Sequence, residues 1–447
     1  MEPTRSEGRV VQSGDGAIAV RATRIDGVTM ESVLPLLDRP RLLWTDGTGT
    51  VAAGGATVSI ETTGRDRFEV VEAAAAAVFD ALEAPASIPD GARPRLFGGF
   101  SFTDSHVPEG RGPWTGFPGA KFVLPAVQFT DTDEAAWMTV TARGHRARET
   151  AVSRLQDWRN RLESASQREA TRDAGVSNRQ YNPERPQWRQ QVERAIDRIS
   201  SDPLEKVVLA QSLRGDLAAP IDAAQVLTRL GVAYPTCYRF AFTPEGGGTF
   251  FGATPERLVS VRDDRVETEA LAGSIGRGET TDEDEWLASQ LRESAKNTHE
   301  HDLVVEAIHD QLAAHVTGIR THPRTVCKLA NVQHLETPIR GRLADDAHVL
   351  SLVEALHPTP AVGGLPPDDA LDTIRETEAF DRGWYAAPVG WFDANGDGDF
   401  AVAIRSAIAA DRTVTLFAGA GIVAGSDPDE EWDELQLKYR PILDALS

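Results

Sequence analysis

Lysine is scarce in this chain, at positions 121, 206, 296, 328 and 438 only, so each lysine invites the question of what holds it. Lys206 heads the run Leu204-Glu205-Lys206-Val207-Val208-Leu209-Ala210, whose β-branched centre reads as a buried strand. An ammonium at the head of such a strand either sits at an exposed end or is kept inside for chemistry, because burying it unpartnered is costly. In Gly252-Ala253-Thr254-Pro255-Glu256-Arg257-Leu258, a glutamate stands in a turn just before another apolar run; in isolation the segment reads only as a turn.

Other carboxylates suit a cation. The segment Lys296-Asn297-Thr298-His299-Glu300-His301-Asp302 lacks the paired histidines of a zinc protease helix, since Leu303 stands where the second would be. Glu300 fits a hard cation better. Further on, Glu430-Glu431-Trp432-Asp433-Glu434 reads mostly as a solvated helix face. Even so, Glu431 and Glu434 share one side of that helix, and Lys438 follows a turn later. One glutamate from each of two helices, completed by waters and substrate oxygens, is a common way to hold Mg²⁺. Asp393-Ala394-Asn395-Gly396-Asp397-Gly398 imitates a calcium loop, but Ile404 occupies the position of the closing carboxylate, so a hairpin turn is expected. Phe417-Ala418-Gly419-Ala420-Gly421-Ile422 lacks the third glycine of a dinucleotide fingerprint. Its small residues would let backbone N–H groups approach a carboxylate.

The elements that must position these groups are strands and helices without a regular βαβ alternation. Strand-like runs cover 42–45, 126–129, 137–140, 207–209, 249–252, 258–261 and 414–417. Helices are expected over 69–82, 149–164, 282–311 and 430–446, the last bent or broken near Pro441. Trp188, Val192, Ile196 and Ile199 mark one face of another. Gly98-Gly99-Phe100 implies a close backbone approach. Residues 164–186 are polar and read as a linker, separating an N-terminal part, 1–180, from a region spanning 186–446. With Gly-rich hairpin turns throughout, the fold class is α+β with large, mainly antiparallel sheets.

Composition narrows the partners. A hydrophobic share of 41% fills a sizeable interior. No apolar run approaches the roughly 20 residues a spanning helix needs, and the polar start lacks a secretory h-region. Two cysteines, Cys237 and Cys327, make neither a disulfide framework nor a thiolate cage, so a cytoplasmic protein is expected. Lys plus Arg number 46 against 68 Asp plus Glu, a net charge of -22 that disfavours nucleic acid and anionic membranes and suggests a halophile-like surface.

Taken in order, these segments resemble the chorismate-utilising enzymes: isochorismate, salicylate, anthranilate and aminodeoxychorismate synthases. The resemblance runs from about Pro186 to Leu446. Besides the segments above, it includes Leu271-Ala272-Gly273-Ser274, His334-Leu335, His357-Pro358-Thr359-Pro360-Ala361, Phe380-Asp381-Arg382 and Ile404-Arg405. It implies two layered halves with outer helices and an active site in the cleft. It further implies Lys206 as general base and Glu256 as general acid. Mg²⁺ would lie on Glu300 and Glu434, with Glu431 as a further carboxylate behind them. Arg405, Tyr385 and the Gly419 backbone would hold the enolpyruvyl carboxylate. Gly273, Ser274 and Lys438 would face the ring carboxylate, and His334 the ring.

The family's ammonia-using members generally carry glutamine in place of Lys206 and threonine in place of Ala361, so the resemblance points to hydroxyl transfer. The expected reaction is conversion of chorismate to isochorismate, for menaquinone or a catechol siderophore, by a monomer or homodimer. The alternatives are a salicylate synthase, the large subunit of an anthranilate or aminodeoxychorismate synthase, and, more remotely, a non-catalytic chorismate-binding protein. Gln211 departs from the family, which usually places an arginine after the Lys206 strand. The first third matches only loosely, best over 96–102.

Overall fold

The computed structural model describes residues 9–12, 16–85, 87–108, 112–164, 173–201, 203–329, 332–344 and 347–447. Their 22 strands join in one hydrogen-bonded network. Every pairing is antiparallel except the short one between Ile18–Ile25 and Leu82–Glu83. Local hairpins explain this bias. At residues 393–398, for example, the Asp393 carboxylate accepts the Asn395 N–H, Gly396 takes φ 80°, and Pro388–Asp393 turns back into Gly398–Val402. The look-alike calcium loop is therefore a hairpin turn.

Strands from the two ends of the sequence interleave. Arg41–Asp46 pairs with Tyr238–Thr243, and Arg95–Phe100 with Pro388–Asp393. Between them lies an aromatic core of Phe117, Phe122, Phe250, Trp384, Phe392 and Phe400, all essentially buried. Many of its ring contacts are edge-on, such as Phe117 with Trp384. Each such ring contributes about 1.5–3 kcal/mol on burial. At Gly98 a Cβ would fall 1.8 Å from the Lys121 carbonyl oxygen, so the close approach read from the sequence is real.

Three expectations change. The helix over 282–311 is two, Thr281–Glu293 and Ala295–Leu312. Ser294 separates them with an extended backbone, its N–H closing the first helix and its hydroxyl capping the second at Asn297 N. A one-residue break leaves the apolar period nearly in phase, so periodicity misses it. Helix Pro428–Ala445 continues through Pro441 instead of breaking there. A proline in a helix costs about 3 kcal/mol, offset here by the buried Trp432, Leu435, Tyr439 and Ile442. Within 164–186, residues Val176–Asn182 form a strand beside Lys206–Leu217, because backbone pairing gives polar side chains a place the composition does not show. Residues 165–172 of that stretch lie outside the described ones.

Candidate active site

Lys206 is the first residue of strand Lys206–Leu217, which is flanked at that end by Gly364–Leu365 and by Thr413–Ile422. Its side chain is 3% exposed, which removes the reading of an exposed strand end, and Nζ lies 2.7 Å from Glu300 Oε1. Glu256 sits between strands Thr249–Thr254 and Arg257–Arg262. Its N–H donates to Thr254 Oγ1 (3.2 Å) and its carbonyl accepts from Val402 N (3.0 Å). The buried carboxyl accepts one hydrogen bond, from the Thr359 hydroxyl (3.2 Å). Burial pushes its pKa up to about 7; the Thr359 bond, Lys206 and Arg405 pull the other way, and Glu269 adds to the rise.

Both groups line one cavity that opens to solvent. Its wall also includes Gly273, Ser274, Glu300, His334, Tyr385, Arg405, Gly419, Glu434 and Lys438. The sequence-expected residues are thus brought together. Glu431 is the exception: it is buried behind the wall, and burial and then Glu434 push its pKa up to about 7.

Several backbones are shaped for this cavity. Gly273 takes φ 74°. A Cβ at Gly419 would come 3.1 Å from the Tyr385 hydroxyl, and one at Gly421 3.0 Å from Lys206 Cε. Ala386 (φ 59°) and Arg405 (φ 49°) are left-handed without being glycine, a strained state that also aims the buried Arg405 guanidinium into the cavity. His334 Nδ1 is 2.9 Å from the Ser274 hydroxyl. Burial, then Arg405 and Lys438, push the imidazole's pKa down to about 3, so it is neutral.

Glu300 comes from helix Ala295–Leu312 and Glu434 from helix Pro428–Ala445. Each has its own lysine: Lys206 on Glu300, and Lys438 on Glu434 at 2.5 Å. Lys438 also donates to the Gly419 carbonyl at 2.7 Å. Burial alone would raise the Glu434 pKa, but Lys438, Arg405 and His334 outweigh it and hold it below the usual range. The described residues contain no cluster of three or more His, Cys, Asp or Glu able to hold a metal. Two carboxylates without imidazole or thiolate fit a hard cation that keeps waters and takes substrate oxygens, and fit zinc poorly.

Two supports were not legible beforehand. Arg382 and Glu378 form a fully buried pair at 2.5 Å; Arg382 also donates to the Val362 and Val208 carbonyls, and Glu378 accepts the Ala210 N–H. Their i, i+4 spacing was the available signal. Gln211 Nε2 donates to the Pro183 carbonyl (2.8 Å) and its Oε1 accepts the Tyr439 hydroxyl (3.3 Å), so the side-chain amide is satisfied where the resemblance expects an arginine.

The family pattern described as "Chorismate binding enzyme" matches residues 10–447. The isochorismate synthase MenF of Bacillus subtilis is 39% identical over 357 residues, 79% of this chain and 74% of that protein. The salicylate biosynthesis isochorismate synthase of Pseudomonas aeruginosa is 38% identical over 417 residues, 91% of this chain and 85% of that protein. Among solved structures, the menaquinone-specific isochorismate synthase MenF of Escherichia coli superposes with a TM-score of 0.81 at 27% identity, over 97% of each chain. Anthranilate synthase component I of Streptococcus pneumoniae, at 21% identity, shares the fold with a TM-score of 0.72 over 97% of this chain and 94% of that one.

Proposed function

The chain belongs to the chorismate-binding enzyme family, and we propose that its cavity is the active site of an isochorismate synthase. The observation that carries this reading is that Lys206, heading a strand, and Glu256, in the turn between two others, are both buried and line one cavity. In the reaction, water adds at C2 of the chorismate ring while the C4 hydroxyl leaves from the opposite face. Lys206, as the general base, takes a proton from the attacking water. Glu256, as the protonated acid, gives one to the departing hydroxyl, so water enters and water leaves. The reverse reaction exchanges their roles.

The substrate carries two carboxylates into a protein of charge -22, so local positive charge must receive them. Arg405, the Tyr385 hydroxyl and the Gly419 backbone receive the enolpyruvyl carboxylate. Gly273, Ser274 and Lys438 face the ring carboxylate, and neutral His334 lines the ring without adding a charge. Mg²⁺ on Glu300 and Glu434, with Glu431 behind, would supply positive charge to the ring carboxylate. A cytoplasmic enzyme feeding quinone or catechol siderophore synthesis is part of the same proposal. No helix among the described residues is long and apolar enough to cross a membrane.

The test is direct product analysis. Chorismate incubated with the purified protein and Mg²⁺ is expected to yield isochorismate by chromatography, and chelation to stop it. Stoichiometric pyruvate without an added lyase would instead identify a salicylate synthase. An amine product with ammonium would identify an aminating enzyme.

A further inference from the structure

Glu269 lies on strand Arg265–Gly276, two residues before the cavity-lining Leu271 and therefore on the same side of the strand. Its Oε1 accepts the N–H of Arg257, the residue after Glu256, at 3.2 Å. The Arg257 guanidinium is engaged elsewhere: Nε donates to the Tyr238 hydroxyl at 2.7 Å, and Nη1 lies 3.5 Å from Glu267. Among the described residues no cation comes within ion-pair distance of Glu269. A half-buried carboxylate thus spends its hydrogen bond on one backbone N–H and meets the Arg257 charge only at a distance.

We infer that Glu269 is a positioning residue for the general acid, fixing the Glu256 turn through the Arg257 N–H while keeping a negative charge next to that turn. The groups acting on Glu256 come from four directions. Lys206, Arg405 and the Thr359 hydroxyl favour its ionised form, and Glu269 opposes them. Glu336 and Glu267 in turn face Glu269 and, with burial, raise its own pKa against the pull of Arg257. Glu256 must be an acid when the hydroxyl leaves, and two cations aimed at the substrate's carboxylates work against that. An anion held next to the acid's turn, outside the cavity lining, restores the balance without touching substrate.

The inference rests on Glu256 being the acid, and the experiment separates the two. Infrared titration of the protonated-carboxyl band, taken as the difference between each protein and the same protein carrying Glu256→Gln, reports that acid alone. In Glu269→Gln, which keeps the oxygen that accepts the Arg257 N–H, the band is expected to vanish at lower pH than in the wild type, by roughly half a unit or more. Glu269→Asp keeps the charge but shortens the reach. It is expected to leave the band's titration near that of the wild type and to lower kcat by roughly tenfold through the misplaced turn. A Glu269→Gln band at the wild-type pH, or a Glu269→Asp enzyme with unchanged kcat, overturns the inference. If Glu269→Gln does not fold, the Glu269→Asp kcat decides. A wild-type protein without isochorismate synthesis removes instead the reading on which this one stands.

Discussion

Two glutamates near the cavity are buried and treated in opposite ways. Behind the strand that Lys206 heads, Glu378 is met by the Nε and Nη2 of Arg382 and by the Ala210 N–H, and the pair, with the Arg382 bonds to the Val208 and Val362 carbonyls, ties three chain segments together. Glu256, in the cavity lining, is buried as deeply but receives only the Thr359 hydroxyl. The first arrangement satisfies a carboxylate; the second leaves a carboxylic acid. Burial alone does not distinguish a structural glutamate from a reactive one. The presence or absence of a cation in contact does.

That contrast can be broken in three places. The largest effect is expected at the chemistry: Lys206→Ala and Glu256→Gln should each lower kcat by at least about 10²–10⁴-fold in the chromatographic assay. Full activity in either variant would discard the assigned roles. Next comes the structural pair. Arg382→Ala, which strands Glu378 without its cation, should cost about 3–5 kcal/mol of unfolding free energy in a urea titration. A loss under about 1 kcal/mol would mean that the Glu378 pair holds nothing together. The smallest effect should appear where function and stability oppose each other.

Because its folded pKa is raised to about 7, Glu256 binds a proton in the folded chain that the unfolded chain has already released. Wild-type stability should therefore fall as pH rises from the ordinary glutamate range towards 7, and flatten above it. Glu256→Gln lacks this slope. Its advantage over the wild type should grow over that window to about 3 kcal/mol at most, and then stay constant. A gap that is independent of pH would show that Glu256 is ionised like a surface residue.

How much of this was legible beforehand follows from the reach of each signal. Lys206, Glu256, Glu300 and Glu434 stand in short segments whose residue types declare a role, and the order of those segments carried the resemblance. The hairpin at 393–398 was readable because turn chemistry is local. What stayed hidden was settled by distant partners. Ser294 breaks a helix without disturbing its period, and Pro441 is tolerated because of what Trp432 and Tyr439 bury. The strand at Val176–Asn182 exists because Lys206–Leu217 offers it an edge. Glu269 looks like any solvent-facing residue of an alternating strand until the Arg257 N–H is seen to point at it.

Ala386 N donates to the carbonyl of Ala403, two residues before Arg405, and both Ala386 and Arg405 sit in a backbone basin that side-chain-bearing residues avoid. Selection for heat resistance alone would therefore find an easy gain here, since glycine at either position would release about 1 kcal/mol of strain. The same change would slacken the peptide that carries Tyr385 or delete the guanidinium outright. A laboratory lineage evolved for thermal tolerance without a turnover screen should accumulate glycine at 386 first and lose substrate affinity as it does so. Survivors that keep alanine there, or that take glycine without a rise in KM, would show that this corner of the chain is under no such tension.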